Sequence, residues 1–194
     1  MSDQFHLQWP VDKHIVNQYF GENPDFYKPF GLAGHEGLDL FAPMNANIYA
    51  GANGEITQAD HPANHPYGLQ VRIKHVVGGR VYTTIYAHLV QSLVSVGQKV
   101  EAGQLIAKAD NTGNSFGSHL HLTLKIDGAQ TPGFPPGIVD PWPYMQEVAK
   151  DLPPASDLVV YASDILSLRS GPTTDANRLA TLNQGDPAYE PRRA

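Results

Sequence analysis

The sequence predicts a mainly β protein, an antiparallel sandwich or barrel. Three observations carry that expectation. From Asn45 onward, short alternating or apolar runs are separated by glycine-bearing turns: ANIYAGANGEITQAD, YGLQVRIKHVVGGRVYTTIYAHL, GQKVEAGQLIAKA and HLHLTLKIDG. Such runs read as strands joined by hairpins. No helical period lasts for twelve residues before the MQEVAK region. Of the 194 residues, 41% are hydrophobic, enough to build a sizeable core.

The elements follow in order. Residues 1–30 are aromatic-rich and irregular, with Pro10, Pro24 and Pro29 breaking any long helix. VRIKHVVGGRVYTTIYAHL is the clearest hairpin, with Gly78 and Gly79 at its turn. Residues 129–143 are rich in proline and glycine and read as loop, and a short helix is expected from Trp142 to Lys150. DLPPAS, Asp151 to Ser156, reads as a linker. A second β pattern fills 157–194 and is too short to bury a good core alone. The expected division is therefore 1–30, 31–150, 151–156 and 157–194.

Composition excludes several functions. The net charge of −6, with no Lys/Arg cluster beyond Arg192 and Arg193, argues against nucleic acid as a partner. No apolar run approaches the roughly eighteen residues that cross a membrane. MSDQFHLQWPVDKHIVNQYF lacks the basic start and apolar stretch of a Sec-type signal. Export by another route, or a start downstream of a removed segment, is the expectation. Cysteine is absent, so a metal would have to use His, Asp or Glu.

Nine histidines make an imidazole site worth seeking. In GSHLHLTLK, residues two apart share a strand face, so His119, His121 and Thr123 point one way. Leu120, Leu122 and Leu124 then point to the core. In GHEGLDL, His35 and Asp39 are four apart, but Gly34 and Gly37 argue for a turn leading into a strand rather than a helix. In YTTIYAHL, His88 is expected at a strand end, where sites are often assembled. A catalytic zinc site uses three protein ligands and keeps one position open. His35, Asp39 and one histidine of the HLH pair supply that set. The other histidine and His88 remain nearby, suited to holding water and moving its proton.

In this order, these segments resemble the lysostaphin-type (LytM-like) zinc endopeptidases of bacterial peptidoglycan. GHEGLDLFAP, the GANGEI turn, YGLQVRIKH, TTIYAHL, VSVGQKVEAGQLIAKADNTG and GNSFGSHLHL carry the resemblance over about residues 30–128, and IVDPWPYM is similar to the family's exit. The resemblance implies a barrel-sandwich-hybrid-like domain with a groove. It implies a Zn2+ held by His35, Asp39 and His121, and catalytic roles for His119 and His88. It implies peptidoglycan peptides as substrate and a place outside the cell or in its envelope, in a wall-remodelling enzyme or a phage lysin. Tyr27 is a candidate for the family's tyrosine upstream of the first ligand. The strand departs from the family at Leu122 and Thr123, where an aromatic residue and a glutamate are common. Glu36, His61 and His65 are expected to face solvent, and His6, His14 and His75 receive no role. The tail from Asp157 resembles the first half of a bacterial SH3-like domain, a wall-binding module, and stops short of its last strands.

Three other readings fit less of the sequence. A non-haem iron oxygenase also uses two histidines and a carboxylate, but places the first two closer together and leaves His119 and His88 idle. VSVGQKVEAGQLIAKA resembles the glycine turn of biotinyl and lipoyl carriers, yet no modifiable lysine sits in a recognisable exposed hairpin. A non-catalytic wall-binding or hydrolase-activating relative would usually have lost ligands.

Overall fold

The computed structural model describes residues 4–62 and 65–145, with two further strands at 166–169 and 178–182. The chain divides into two units, Met1–Gln146 and Glu147–Ala194.

The first unit is built from ten strands: β1 (Val16–Gln18), β2 (Leu38–Leu40), β3 (Asn47–Tyr49), β4 (Gly54–Asp60), β5 (Leu69–Val77), β6 (Arg80–Ser92), β7 (Lys99–Val100), β8 (Leu105–Ala109), β9 (Leu120–Ile126) and β10 (Ile138–Val139). They pair in the order β1-β2-β9-β6-β5-β4-β7, with β10 on β9 and with β8 joining β3 to β6. Every pairing is antiparallel. This is the antiparallel β architecture expected from the glycine-punctuated runs. The only α-helices described are single turns, α1 (Pro24–Tyr27) and α2 (Trp142–Met145).

The β5–β6 hairpin closes with Val77 opposite Arg80. Gly78 and Gly79 have φ of 56° and 74°, the left-handed pair that a two-residue hairpin turn requires and that glycine adopts without strain. Leu120, Leu122 and Leu124 of β9 join Leu38, Leu40, Ile48, Ile73, Tyr86 and Ile106 in one core. Each such fully buried side chain is worth about 1.5–3 kcal/mol.

Part of the irregular N-terminal segment packs into this core. Phe5, Leu7 and Val11 are buried in it. The Leu7 N–H donates to the Tyr144 carbonyl at 2.7 Å, the Gln8 N–H to Gly51 at 2.7 Å, and the Tyr49 N–H to Pro10 at 2.9 Å. The alternation of FHLQW, with Phe5 and Leu7 inward, is what binds this segment to the sheet.

The helix expected from Trp142 is described only to Met145, and its remainder lies outside the described residues, as does the 151–156 linker. In 157–194 the described part is an antiparallel pair, β11 (Leu166–Arg169) and β12 (Arg178–Leu182).

Candidate active site

Three adjacent strands bring the candidate residues together. β9 lies between β2 and β6, and His121 sits opposite Asp39 on one side and Ala87 on the other. The face opposite the leucines carries His121 and Thr123, with Ile85 and Ala87 of β6 beside them under Tyr67. His35 arrives on the turn before β2. A Cβ at Gly37 would lie 2.6 Å from the Leu122 carbonyl oxygen and 2.8 Å from the His121 ring, so only glycine lets this turn pass so close.

His88 reaches the same face by a break in the strand. It does not end β6, as expected; the strand continues to Ser92. Between the pairs Leu69–Leu89 and Val71–Tyr86, two steps along β5 match three along β6, which defines a bulge. His88 takes φ of 60° there. Strict alternation would send its ring into the core with Tyr86. The extra residue turns it toward the site, and Leu89 returns to the core. The bulge is held on both sides, by the His88 N–H on the Tyr67 carbonyl at 2.8 Å and by the Asp110 N–H on the His88 carbonyl at 3.0 Å. The ring lies 5.0 Å from that of His119 and 5.8 Å from that of His121.

The ligand-type atoms of His35, Asp39 and His121 converge. His35 Nε2 is 3.1 Å from Asp39 Oδ1, His121 Nδ1 is 2.9 Å from the same oxygen, and the two nitrogens are 3.0 Å apart. His35 Nδ1 faces the Tyr19 carbonyl at 3.2 Å, so it carries the proton and leaves Nε2 bare in the neutral ring. Such a corner is short of protons and suits a cation. Its edges approach the separation of about 3.3 Å expected between ligand atoms around tetrahedral zinc, and its imidazole and carboxylate donors match that ion. The residues present therefore fit a zinc ion.

His119 and His88 sit beside the corner. His119 Nδ1 donates to the Gly117 carbonyl at 2.7 Å, which directs Nε2 toward Asp39 Oδ1 at 3.4 Å. His88 Nδ1 donates to the Thr112 carbonyl at 2.7 Å, leaving its Nε2 uncommitted. Tyr27 lies over the other side, its ring 5.6 Å from His35. Phe26 and the exposed Phe116 meet at 6.0 Å next to it.

Burial pushes the Asp39 carboxyl up, but the imidazoles of His119, His121 and His35 crowded against it outweigh that and hold the group well below the usual carboxylate range. Burial lowers His121 against the raising influence of Asp39. Burial, reinforced by His121, lowers His88 to about 4. Burial also opposes the charge on His119, yet the hydrogen bond and charge of Asp39 raise it overall.

One expectation changes. Glu36 does not simply face solvent: it is half-buried and accepts a hydrogen bond from the Tyr67 hydroxyl at 2.6 Å. His65 is half-buried with its ring 5.1 Å from Tyr67, whereas His61 is exposed. Tyr67 was missed from sequence, although it stands 5.2 Å from the His121 ring. Its one signal was its place immediately before the Gly68 that opens β5.

The sequence profile described as peptidase family M23 matches residues 33–132, just over half of the chain and the span holding all five of these residues. The peptidoglycan DD-endopeptidase ShyA of Vibrio cholerae is 40% identical over 98 residues, 50% of this chain and 21% of that protein. This chain therefore spans about a fifth of that curated relative. The crystal structure of a zinc-containing peptidase from Vibrio cholerae is similar at a TM-score of 0.56 and 32% identity, covering 71% of this chain and 39% of that one. The catalytic domain of lysostaphin from Staphylococcus simulans is similar at a TM-score of 0.56 and 26% identity, covering 73% of this chain and 98% of that domain. With the fold, the site and the profile in agreement, the chain belongs to peptidase family M23.

Proposed function

We propose that the chain is a zinc-dependent endopeptidase that hydrolyses peptide bonds in bacterial peptidoglycan, within a cross-bridge or a stem peptide. One observation carries this reading: two imidazole nitrogens and a carboxylate oxygen meet within 3.1 Å, with two further histidines beside them. His35, Asp39 and His121 hold the metal. When bound, zinc lowers the pKa of water from 15.7 toward about 7 and polarises a carbonyl.

The chain's own groups do the rest. His119 and His88 each tie down Nδ1 on a backbone carbonyl, which fixes the ring and leaves Nε2 for the reaction. Between them they orient the water, take its proton and steady the oxyanion that develops at the peptide carbonyl. Tyr27, whose ring lies 5.6 Å from that of His35, supplies a hydroxyl to support that oxyanion.

Residues 31–150 are the peptidase domain, with Phe5, Leu7 and Val11 of the 1–30 segment packed into its core. Beyond the 151–156 linker, 157–194 is a partial SH3-like, wall-binding segment. The protein works outside the cell or in its envelope, where this substrate lies. The relative ShyA bears the description peptidoglycan DD-endopeptidase, which supports the substrate class. Zymography on purified walls, with and without chelator, tests the proposal. Clearing that is lost with chelator and restored by zinc is expected, with mass spectrometry of the fragments identifying the bond. Absence of zinc-dependent clearing on walls of every cross-link type would overturn it.

A further inference from the structure

Behind His121 runs a chain of hydroxyls that the proposed reaction does not use. His121 Nε2 lies 2.9 Å from Thr123 Oγ1, Thr123 Oγ1 lies 3.2 Å from the Tyr67 hydroxyl, and the Tyr67 hydroxyl donates to Glu36 Oε1 at 2.6 Å. Thr123, His121 and Tyr67 are 0%, 5% and 8% exposed, so water does not compete for these contacts.

Counting protons fixes the direction of every link. A carboxylate only accepts, so Tyr67 spends its single proton on Glu36. The Tyr67 oxygen must then accept from Thr123, which spends its own proton there. The Thr123 oxygen can therefore only accept from His121, and Nε2 must carry the ring proton. In the neutral imidazole this leaves Nδ1 bare, and Nδ1 is the atom that faces Asp39 and His35. Burial and then the facing Glu36 carboxylate push the Tyr67 phenol far up, which keeps it a donor.

We infer that Glu36, acting through Tyr67 and Thr123, is a positioning residue that selects the His121 tautomer able to bind metal. The inference rests on His121 being a ligand. Without the relay the two tautomers of His121 compete, and the wrong one presents an N–H to the corner. Groups that orient a ligand in this way typically govern metal affinity by about 10- to 100-fold. Glu36 owes its position to its neighbour His35, and Thr123 to the two-residue period of β9. Tyr67 joins them from the turn before β5.

Zinc affinity of the full chain, measured by competition with a fluorescent chelator, tests the relay. Glu36→Ala and Thr123→Val should each bind zinc about 10- to 100-fold more weakly, while Thr123→Ser keeps the parent affinity. Because both changes break one chain, the Glu36→Ala/Thr123→Val double variant should bind no more weakly than Thr123→Val alone. Nitrogen NMR of the metal-free protein should find His121 protonated at Nε2 and bare at Nδ1. Parent-like affinity in both single variants, full additivity in the double variant, or the opposite tautomer would overturn the relay. His121→Ala separates this inference from the reading beneath it. If that variant loses zinc while the relay variants bind like the parent, only the relay fails. If that variant itself binds zinc like the parent, the ligand assignment fails.

Discussion

His75 on β5 and His121 on β9 make an instructive pair. They are almost equally buried, 1% and 5% exposed. Each meets a threonine hydroxyl, Thr84 at 2.8 Å and Thr123 at 2.9 Å, and each threonine lies near a tyrosine hydroxyl. They occupy opposite faces of one sheet. On the core face the network closes on backbone at both ends: His75 Nδ1 meets the Asn53 carbonyl at 2.7 Å, and the Gly51 N–H donates to Tyr86 at 2.8 Å. Both nitrogens of His75 are partnered, and the ring is a structural element. On the site face the network ends on the Glu36 carboxylate and leaves His121 Nδ1 aimed at an acidic corner. Burial alone does not separate a structural histidine from a proposed metal ligand. What separates them is whether the second nitrogen has a partner that satisfies it.

The largest expected effect would break the comparison on the site side. His121→Ala should lose its metal, read by elemental analysis, and its turnover with it. A stoichiometric metal content in that variant would place His121 with His75 as a structural residue. Next, His119→Ala should keep its metal while kcat/KM falls by about 10²- to 10⁴-fold, the usual worth of a positioned acid or base. Loss of metal there would move His119 into the ligand set.

On the core side, His75→Ala should retain metal and lose stability. The Asn53 carbonyl and Thr84 hydroxyl would be left without their partner at about 1–3 kcal/mol each. The lower end of that sum, about 2 kcal/mol, already corresponds to a fall in Tm of about 4–8 °C, measurable by calorimetry. An unchanged Tm would show that the network contributes nothing.

The smallest effect is on pH dependence. Burial lowers the pKa of His75 below its ordinary 6.5, with the Asn53 hydrogen bond opposing. The unfolded chain therefore binds a proton that the native state refuses. The contribution is fully present above about pH 6.5 and is lost as pH falls below it. Urea midpoints between pH 7.5 and 5 should fall more steeply for the parent than for His75→Ala, and parallel curves would contradict this.

The sequence carried the sheet better than it carried the site. Period-two alternation sorted β9 correctly, with Leu120, Leu122 and Leu124 in the core and His121 and Thr123 opposite. The paired glycines marked the β5–β6 turn because only glycine enters two successive left-handed positions cheaply. Alternation could not say which of His119 and His121 would bind metal; that assignment came from the family resemblance. Nor could it find the Glu36–Tyr67–Thr123 chain, whose members come from three separated segments. Nothing local announces that a tyrosine before β5 will lie over β9. The irregular course expected of residues 1–30 did not reveal that Phe5 and Leu7 alternate into the core.

The bulge at His88 makes the site depend on an odd number. Residues before it obey alternation, and Leu89 after it returns to the core, so a single surplus residue turns the imidazole away from the apolar side. Removing one residue there would restore a regular strand of nearly unchanged composition and send the ring inward. A length change of one would thus take the proposed catalytic His88 out of the site while leaving every proposed ligand intact. In tracing how such chains diverge, the spacing of this strand deserves to be read as closely as its letters.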